Sequence, residues 1–327
     1  DSGYKGTGGI LEGVSVSDIS ASTISFTMPD RNVIVTAKFE RKLPEDSGGG
    51  SPGNTPEESS GNTSEESSGN DEEDPTDSIV YSIAAIADQK VSLKIPSTVD
   101  VNQFVAYYLV NGKKVYVPMS IAEDGMLTFI APATGKYTLV ERKISFTDVE
   151  KHWAKDYIES AAARGLFTGI GDNKFDPNGK MTRAMFVTVL WRLAGRPSGG
   201  AIDFKDAAPN SYYSDALAWA SNNSLVSGYG NGLFGVNDKV TREQMCVIFV
   251  RFLEYMGFDI SEIPEALPFA DEHAISSWAA QAVKLCRSLG IVNGKSGNIF
   301  DPAADATRAE CCAMFIRLIK IYLNSIR

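Results

Sequence analysis

The sequence predicts an α+β multidomain chain, with small β modules first and an all-α region of three helix-loop-helix repeats after them. Three observations predict it. Up to about residue 143, apolar and polar residues tend to alternate, the two-residue period of a half-buried strand. From Phe146 onward the apolar positions recur at helical intervals instead. And one sentence is written three times: GLFTGIGDNKFDPNGKMTR from Gly165, SLVSGYGNGLFGVNDKVTR from Ser224, and GIVNGKSGNIFDPAADATR from Gly290.

A chain of 327 residues with 43% hydrophobic content has room for two or three domains with buried cores. Its formal charge of -10 is not spread evenly. Residues 44–78 hold eleven Asp and Glu and no Lys or Arg, while outside them 30 acids balance 31 bases. The acidity therefore belongs to one segment, and neither the basic footprint of a nucleic-acid binder nor a lysine-rich membrane face is present. No run reaches the roughly 18 apolar residues that a membrane span requires, so no membrane insertion is expected. The chain opens on Asp1 without a signal peptide and is read as a piece of something longer.

Residues 1–43 are expected to form a small β module or part of one, on the alternation of Val33, Val35, Ala37 and Phe39. Residues 44–78, with GNTPEESSGNTSEESSGNDEED at their centre, carry charge of one sign and almost no apolar side chain. Such a segment cannot bury enough surface to offset the entropy of ordering, so it reads as a self-repelling spacer. Residues 79–143 return to strand patterns: VSLKIP, FVAYYLV, an Asn111-Gly112 hairpin signal before KKVYVP, then MLTFIAP and GKYTLVER. A compact antiparallel β domain follows from them, with no constellation of catalytic type.

The repeats are aligned by their spacing. An aromatic residue (Trp153, Tyr212, Trp278) lies 16 residues before a glycine (Gly169, Gly228, Gly294), which lies six before a phenylalanine (Phe175, Phe234, Phe300). Seven residues later each copy has Thr-Arg: Thr182-Arg183, Thr241-Arg242, Thr307-Arg308. Length varies only outside this block, between copies and from Phe-x-Asp (Phe146/Asp148, Phe204/Asp206, Phe269/Asp271) to the aromatic. One helix is expected after each aromatic, a glycine-rich loop after it, and a second helix from the threonine. Thr307 with Glu310 makes a capping box; Gln244 can serve in copy two, and Met185 cannot in copy one. The stripe Phe186, Val189, Leu190, Leu193 is assigned to a core. A unit of this size is marginal alone, so the three should pack together. The expected repeat bounds are 144–201, 202–266 and 267–327.

With the Phe-x-Asp start, the Trp at the head of the first helix, the Gly-x-Gly loop and the Thr-Arg-Ala-Glu signature, residues 146–327 resemble three tandem S-layer homology domains. The segment FTMPDRNVIVTAKFE (Phe26 to Glu40) is similar to the closing strand of internalin B-repeat modules, and residues 79–143 look like the β-sandwich modules that often precede S-layer homology domains. The resemblance implies a three-lobed pseudo-trimer around a central helical bundle. It further implies a non-enzymatic, extracellular role at the Gram-positive cell wall, binding a secondary wall polymer whose terminal amino sugar carries a pyruvate ketal; the alternatives are the C-terminal part of a surface enzyme whose catalytic domain is missing and a self-assembling surface-layer module. Surface-layer proteins are a further possible partner, and no cofactor or metal is expected.

Arg183, Arg242 and Arg308 lead the candidates. Each adds a planar, permanent charge to the positive end of a helix, where an anion is the natural guest; pairing with an acid of a neighbouring lobe is the other role open to it. Removing charge at Arg183 and Arg242 together is expected to abolish wall binding without unfolding the repeats. Trp153, Tyr212 and Trp278 suit either a flat face for a sugar ring or a core anchor. Gly169, Gly171, Gly228, Gly230 and Gly294 suit close approach of backbone amides to a ligand or simply a tight turn; Ser296 replaces the second glycine in copy three. Asp148, Asp206 and Asp271 suit sugar hydroxyls or helix capping. Cys246, Cys286, Cys311 and Cys312 align with small or apolar residues of the other copies and are expected as buried free thiols.

Overall fold

The computed structural model describes residues 4–6, 39–41, 78–261 and 263–326. The alternation read at Val33, Val35 and Ala37 lies outside the described residues, as does the spacer read at 44–78 except for Ser78. In the first module β1 (Tyr4–Gly6) pairs antiparallel with β2 (Phe39–Arg41).

Seven strands follow: β3 (Ser78–Ala85), β4 (Lys90–Lys94), β5 (Phe104–Val110), β6 (Lys113–Tyr116), β7 (Ser120–Glu123), β8 (Met126–Ile130) and β9 (Gly135–Glu141). They form a four-stranded sheet, β3-β9-β5-β6, and a three-stranded sheet, β4-β8-β7, with every pairing antiparallel. Asn111 and Gly112 both have positive φ, 51° and 78°, the primed turn that their pairing signals, and it closes β5 onto β6. Asp124 and Gly125 do the same for β7 and β8, a hairpin the sequence reading passed over because β7 is only four residues long. Leu93, Phe104, Leu127, Phe129, Tyr137 and Leu139 are fully buried between the two sheets. The opposite face of the larger sheet is also covered. Val105, Tyr107 and Val140 pack there with Ala163 of the first helix, so period-two burial on both faces ties this domain to the repeats.

Six helices follow: α1 (Lys155–Ala163), α2 (Arg183–Leu193), α3 (Ser214–Asn222), α4 (Arg242–Tyr255), α5 (Ala280–Ser288) and α6 (Arg308–Ser325). Thr182, Thr241 and Thr307 each cap a second helix, with full capping boxes at Thr241/Gln244 and Thr307/Glu310. Thr182 accepts from the amide of Met185 and lacks the reciprocal bond.

The packing unit is not the sequence repeat. α2 packs on α3, α4 on α5 and α6 on α1, so each second helix leans on the first helix of the next copy, and the third copy returns to the first. A ring of main-chain bonds closes the arrangement: Met181 N–H donates to Ala306 C=O, Ala306 to Val240, and Val240 to Met181, each at 3.0 Å. Within the helical core, Phe186, Phe249 and Phe315 touch pairwise with ring centroids 5.3, 5.3 and 5.0 Å apart. Phe186 comes from one turn earlier in its copy than the other two, level in sequence with Met245 and Cys311, whose sulfurs lie 3.5 Å apart. A large ring beside two smaller side chains fills one layer, and Leu190 beside Phe249 and Phe315 fills the next.

Candidate functional site

The three arginines occupy equivalent positions at the junctions between copies. From copy one, Arg183 Nε donates to Phe234 C=O (2.9 Å) and Nη2 to Ser227 C=O (2.9 Å) in the loop of copy two. Arg242 likewise reaches Phe300 C=O (2.7 Å) and Asn293 C=O (3.2 Å) in copy three. Arg308 closes the cycle onto Phe175 C=O (2.9 Å) and Thr168 C=O (2.7 Å) in copy one. Each guanidinium also lies over the phenylalanine ring of the loop it holds, at 4.3, 5.1 and 4.3 Å.

This corrects the expectation of a helix mouth open to an anion. The first-turn amides are already used: Arg183, Arg242 and Arg308 N–H donate to Asp238, Ala304 and Gly179 C=O, and the following residues to Val236, Pro302 and Pro177. The arginines themselves are only 6%, 2% and 7% exposed. Two of the three arms of each fork serve as staples between copies, because a buried main-chain carbonyl at a loop end needs a donor.

The third arm, Nη1, separates the junctions. In Arg242 it donates to Glu310 Oε1 at 2.7 Å, an ion pair with a buried guanidinium and a part-exposed carboxylate. In Arg183 it meets the Gln244 amide oxygen at 3.5 Å. In Arg308 the bonds to described residues run through Nε and Nη2, and none runs through Nη1. Burial lowers the pKa of Arg183 and Arg308, opposed by Tyr229, Asp238 and Asp206 near the first and by Cys312, Asp176, Cys311 and Asp148 near the second; both remain cationic at neutral pH.

The aspartates neither cap helices nor stand free. Asp148 accepts from the amides of Phe175 (2.8 Å) and Asp176 (2.7 Å), Asp206 from Phe234 (2.8 Å), Gly235 (2.7 Å) and Val236 (3.2 Å), and Asp271 from Phe300 and Asp301 (both 2.7 Å). Burial pulls these carboxyls upward; the amide bonds outweigh it and hold all three below the ordinary aspartate value. Each thus clasps the loop residue whose carbonyl holds an arginine.

The leading glycines have a similar internal reason. A Cβ on Gly169 would stand 2.7 Å from Lys174 O and 2.9 Å from a Phe146 ring carbon; on Gly228, 2.5 Å from Leu233 O and 2.7 Å from Phe204; on Gly294, 3.0 Å from Asn298 backbone. Gly171 and Gly230 have φ of 104° and 84°, so the turn itself selects glycine. The aromatics resolve the other way from a core: Trp153, Tyr212 and Trp278 are 62%, 63% and 58% exposed. Partial burial raises the Tyr212 phenol. Tyr229, exposed between Gly228 and Gly230, lies over Arg183 at 5.0 Å and donates to Asp238 at 3.0 Å.

A second arginine triplet went unread. Arg192, Arg251 and Arg317, each nine residues after the first set, donate to Leu166, Leu225 and Ile291 C=O at 2.9, 3.5 and 3.4 Å. Its constant offset in the alignment was the available signal. The four cysteines are buried and free, and burial raises the thiols of Cys286, Cys311 and Cys312. Among the described residues no group of three or more His, Cys, Asp or Glu could hold a metal, and no helix is long and apolar enough to cross a membrane.

Residues 145–185, 203–246 and 268–311 match the S-layer homology domain, and residues 1–43 match the divergent InlB B-repeat domain. The chain is 32% identical over 235 residues to the amylopullulanase of Thermoanaerobacterium thermosulfurigenes, covering 71% of this chain and 13% of that protein. It is 27% identical to the surface-layer 125 kDa protein of Lysinibacillus sphaericus, over 51% of this chain and 14% of the other. With the cellulosome-anchoring protein of Acetivibrio thermocellus it shares 25% identity, over 45% and 33% of the respective lengths. The chain thus spans a third or less of each of these relatives.

Proposed function

From the premise that this chain carries three S-layer homology domains, which are anchoring modules located at the wall or S-layer of the cell surface, we propose that it holds its protein to the envelope non-covalently by binding a pyruvylated secondary wall polymer at the junctions between copies. The three copies act as a three-lobed pseudo-trimer around α2, α4 and α6. The observation that carries the reading is the set of three arginines, each crossing to the next copy's glycine loop, so that every junction is floored by a cation. Trp153, Tyr212 and Trp278 offer exposed faces for sugar rings. The aspartates and glycines act at one remove, by shaping the loop that the arginine holds.

In this reading the described part of the chain is an anchor and not a catalyst. The module at 1–43 and the spacer at 44–78 stand away from the envelope, with the β domain at 79–143 as a pedestal on the repeats bounded at 144–201, 202–266 and 267–327. Several junctions on one polymer strand would add avidity.

Retention of the purified chain on cell-wall sacculi tests this. Retention should be lost when mild acid removes the pyruvyl groups. Retention that survives their removal, or that requires other surface-layer chains, would replace the glycan reading with self-assembly.

A further inference from the structure

The outer faces of the three first helices are covered unequally. Ala163, Asn222 and Ser288 are equivalent in the alignment, and each is met by the segment that precedes its copy. Ala163 packs on the β domain, Asn222 Nδ2 donates to Gly199 C=O at 2.8 Å, and Ser288 Oγ accepts from the Ala266 N–H at 2.9 Å. One turn earlier the helices part ways. Glu159 accepts from Gln103 of the β domain at 3.2 Å, and Ala218 lies close under Gly199, where an added Cβ would stand 3.0 Å from its methyl. Lys284 instead pairs at 2.5 Å with Glu265, whose carboxylate is 77% exposed. Beyond this pin the connector arches away from α5 and leaves a cavity of about 240 Å³ beneath it. The connector is also longer here, since Phe269 lies 28 residues after Thr241 and Phe204 only 22 after Thr182. Its Phe258, Ile260 and Ile263 rest on the helical core. Leu267 does not, and at 81% it is the most exposed large apolar side chain among the described residues.

We infer that this face docks a second molecule of the same chain, each Leu267 entering the other's cavity across a two-fold axis. Knob and hole adjoin, because Ala266 and Pro268 on either side of Leu267 both line the cavity, so one rotation seats both leucines together. The floor is apolar where a leucine would land: Phe269, Ile275, Ala280 and Val283. The rim supplies the charge that selects the partner. Glu272 bonds to described residues through its main chain alone. Arg287, stacked over Phe269 at 3.9 Å, reaches Asn298 Oδ1 through Nη1 at 3.0 Å and keeps its other donors for a guest. A two-fold axis turns Glu272 of one molecule toward Arg287 of the other, twice over, which is the self-complementarity that an isologous contact requires. A patch of this size belongs to the weak end of protein interfaces, so the pairing forms where chains are crowded on one surface.

The experiment is sedimentation velocity of the intact chain from micromolar to millimolar concentration, where the parent should pass from monomer to dimer. Leu267→Asp removes the knob, and Ala280→Trp, at an exposed position on the lining, closes the hole. Each should weaken association by about tenfold or more, the size set by the leucines that the contact buries, at an unchanged melting temperature. Mixed in equal amounts, the two variants should recover part of the association, because Leu267 of the Ala280→Trp chain still fits the open cavity of the Leu267→Asp chain. Misfolding cannot produce that recovery. A parent that stays monomeric throughout, a variant that dimerises like the parent, or a mixture that recovers nothing overturns the proposal. If the parent never dimerises and Ala280→Trp lowers retention on sacculi, the cavity holds a wall sugar in place of a second chain.

Discussion

A charged side chain in these repeats is judged by what it touches, and the aspartate of Phe-x-Asp shows how far type and position can mislead. Read as a sugar contact or a helix cap, it is a loop clasp, because two or three amides at a loop end some 27 to 30 residues further on converge on its carboxylate. This makes a pH prediction. Each carboxyl titrates below its ordinary value in the folded state, so its stabilisation is complete above the unfolded aspartate pKa of about 3.9 and is lost as pH falls through the folded value. Thermal melts from pH 7 downward should therefore show a steep loss below about pH 4, and Asp206→Asn should lower the melting temperature at pH 7 and flatten that loss. An unchanged acid limb in the variant would show that the clasp does not matter. The arginines were legible as a triplet, and their staple role was not, since the carbonyls they hold lie 44 to 140 residues away along the chain. That role also revises the expected outcome of removing Arg183 and Arg242 together: two buried staples would be lost, and the fold would be weakened along with any binding.

At the scale of elements, local rules located the helices and the loops between them. The capping boxes at Thr241 and Thr307, the incomplete one at Thr182 and the Asn111-Gly112 turn all stand where short-range chemistry puts them. The Gly-x-Gly loop is different, because the reason for its first glycine is a return segment and a phenylalanine from the start of the repeat. In copy two, Leu233 C=O cannot retreat from an added methyl, as it accepts the Tyr229 N–H at 2.9 Å, and Phe204 closes the other side. Gly228→Ala should cost about 1–3 kcal/mol by overpacking, read as a lower midpoint in urea at unchanged slope. An unaltered midpoint would mean that the loop relaxes freely.

At the scale of the whole molecule, the repeats and the β domain share buried groups that neither could satisfy alone. Arg164, at the end of α1, is sealed; burial lowers its pKa to about 10. It donates through Nε to Ser120 C=O (2.6 Å) and through Nη1 to Asn102 C=O (3.1 Å) of the β domain, while Arg142 Nη1 reaches back to Ala162 and Ala163 C=O. Met119 of the β domain lies in the same core as the helices. The described β domain and repeats should accordingly unfold in one calorimetric transition, and Arg164→Ala, leaving buried carbonyls without a donor, should split it in two; a single unshifted transition would refute the coupling. What the sequence determined by itself is the number of copies, the helices and turns of each, the buried thiols and the residues that recur at fixed offsets, because all of these depend on periodicity and on chemistry within a few residues. Only the tertiary structure decided that each second helix packs on the first helix of the next copy, that Asp and Gly serve the loop, and that the third arms of three equivalent arginines meet different surroundings. Those outcomes depend on which carbonyl or side chain from a distant copy arrives at each donor, and spacing along one chain carries no record of that.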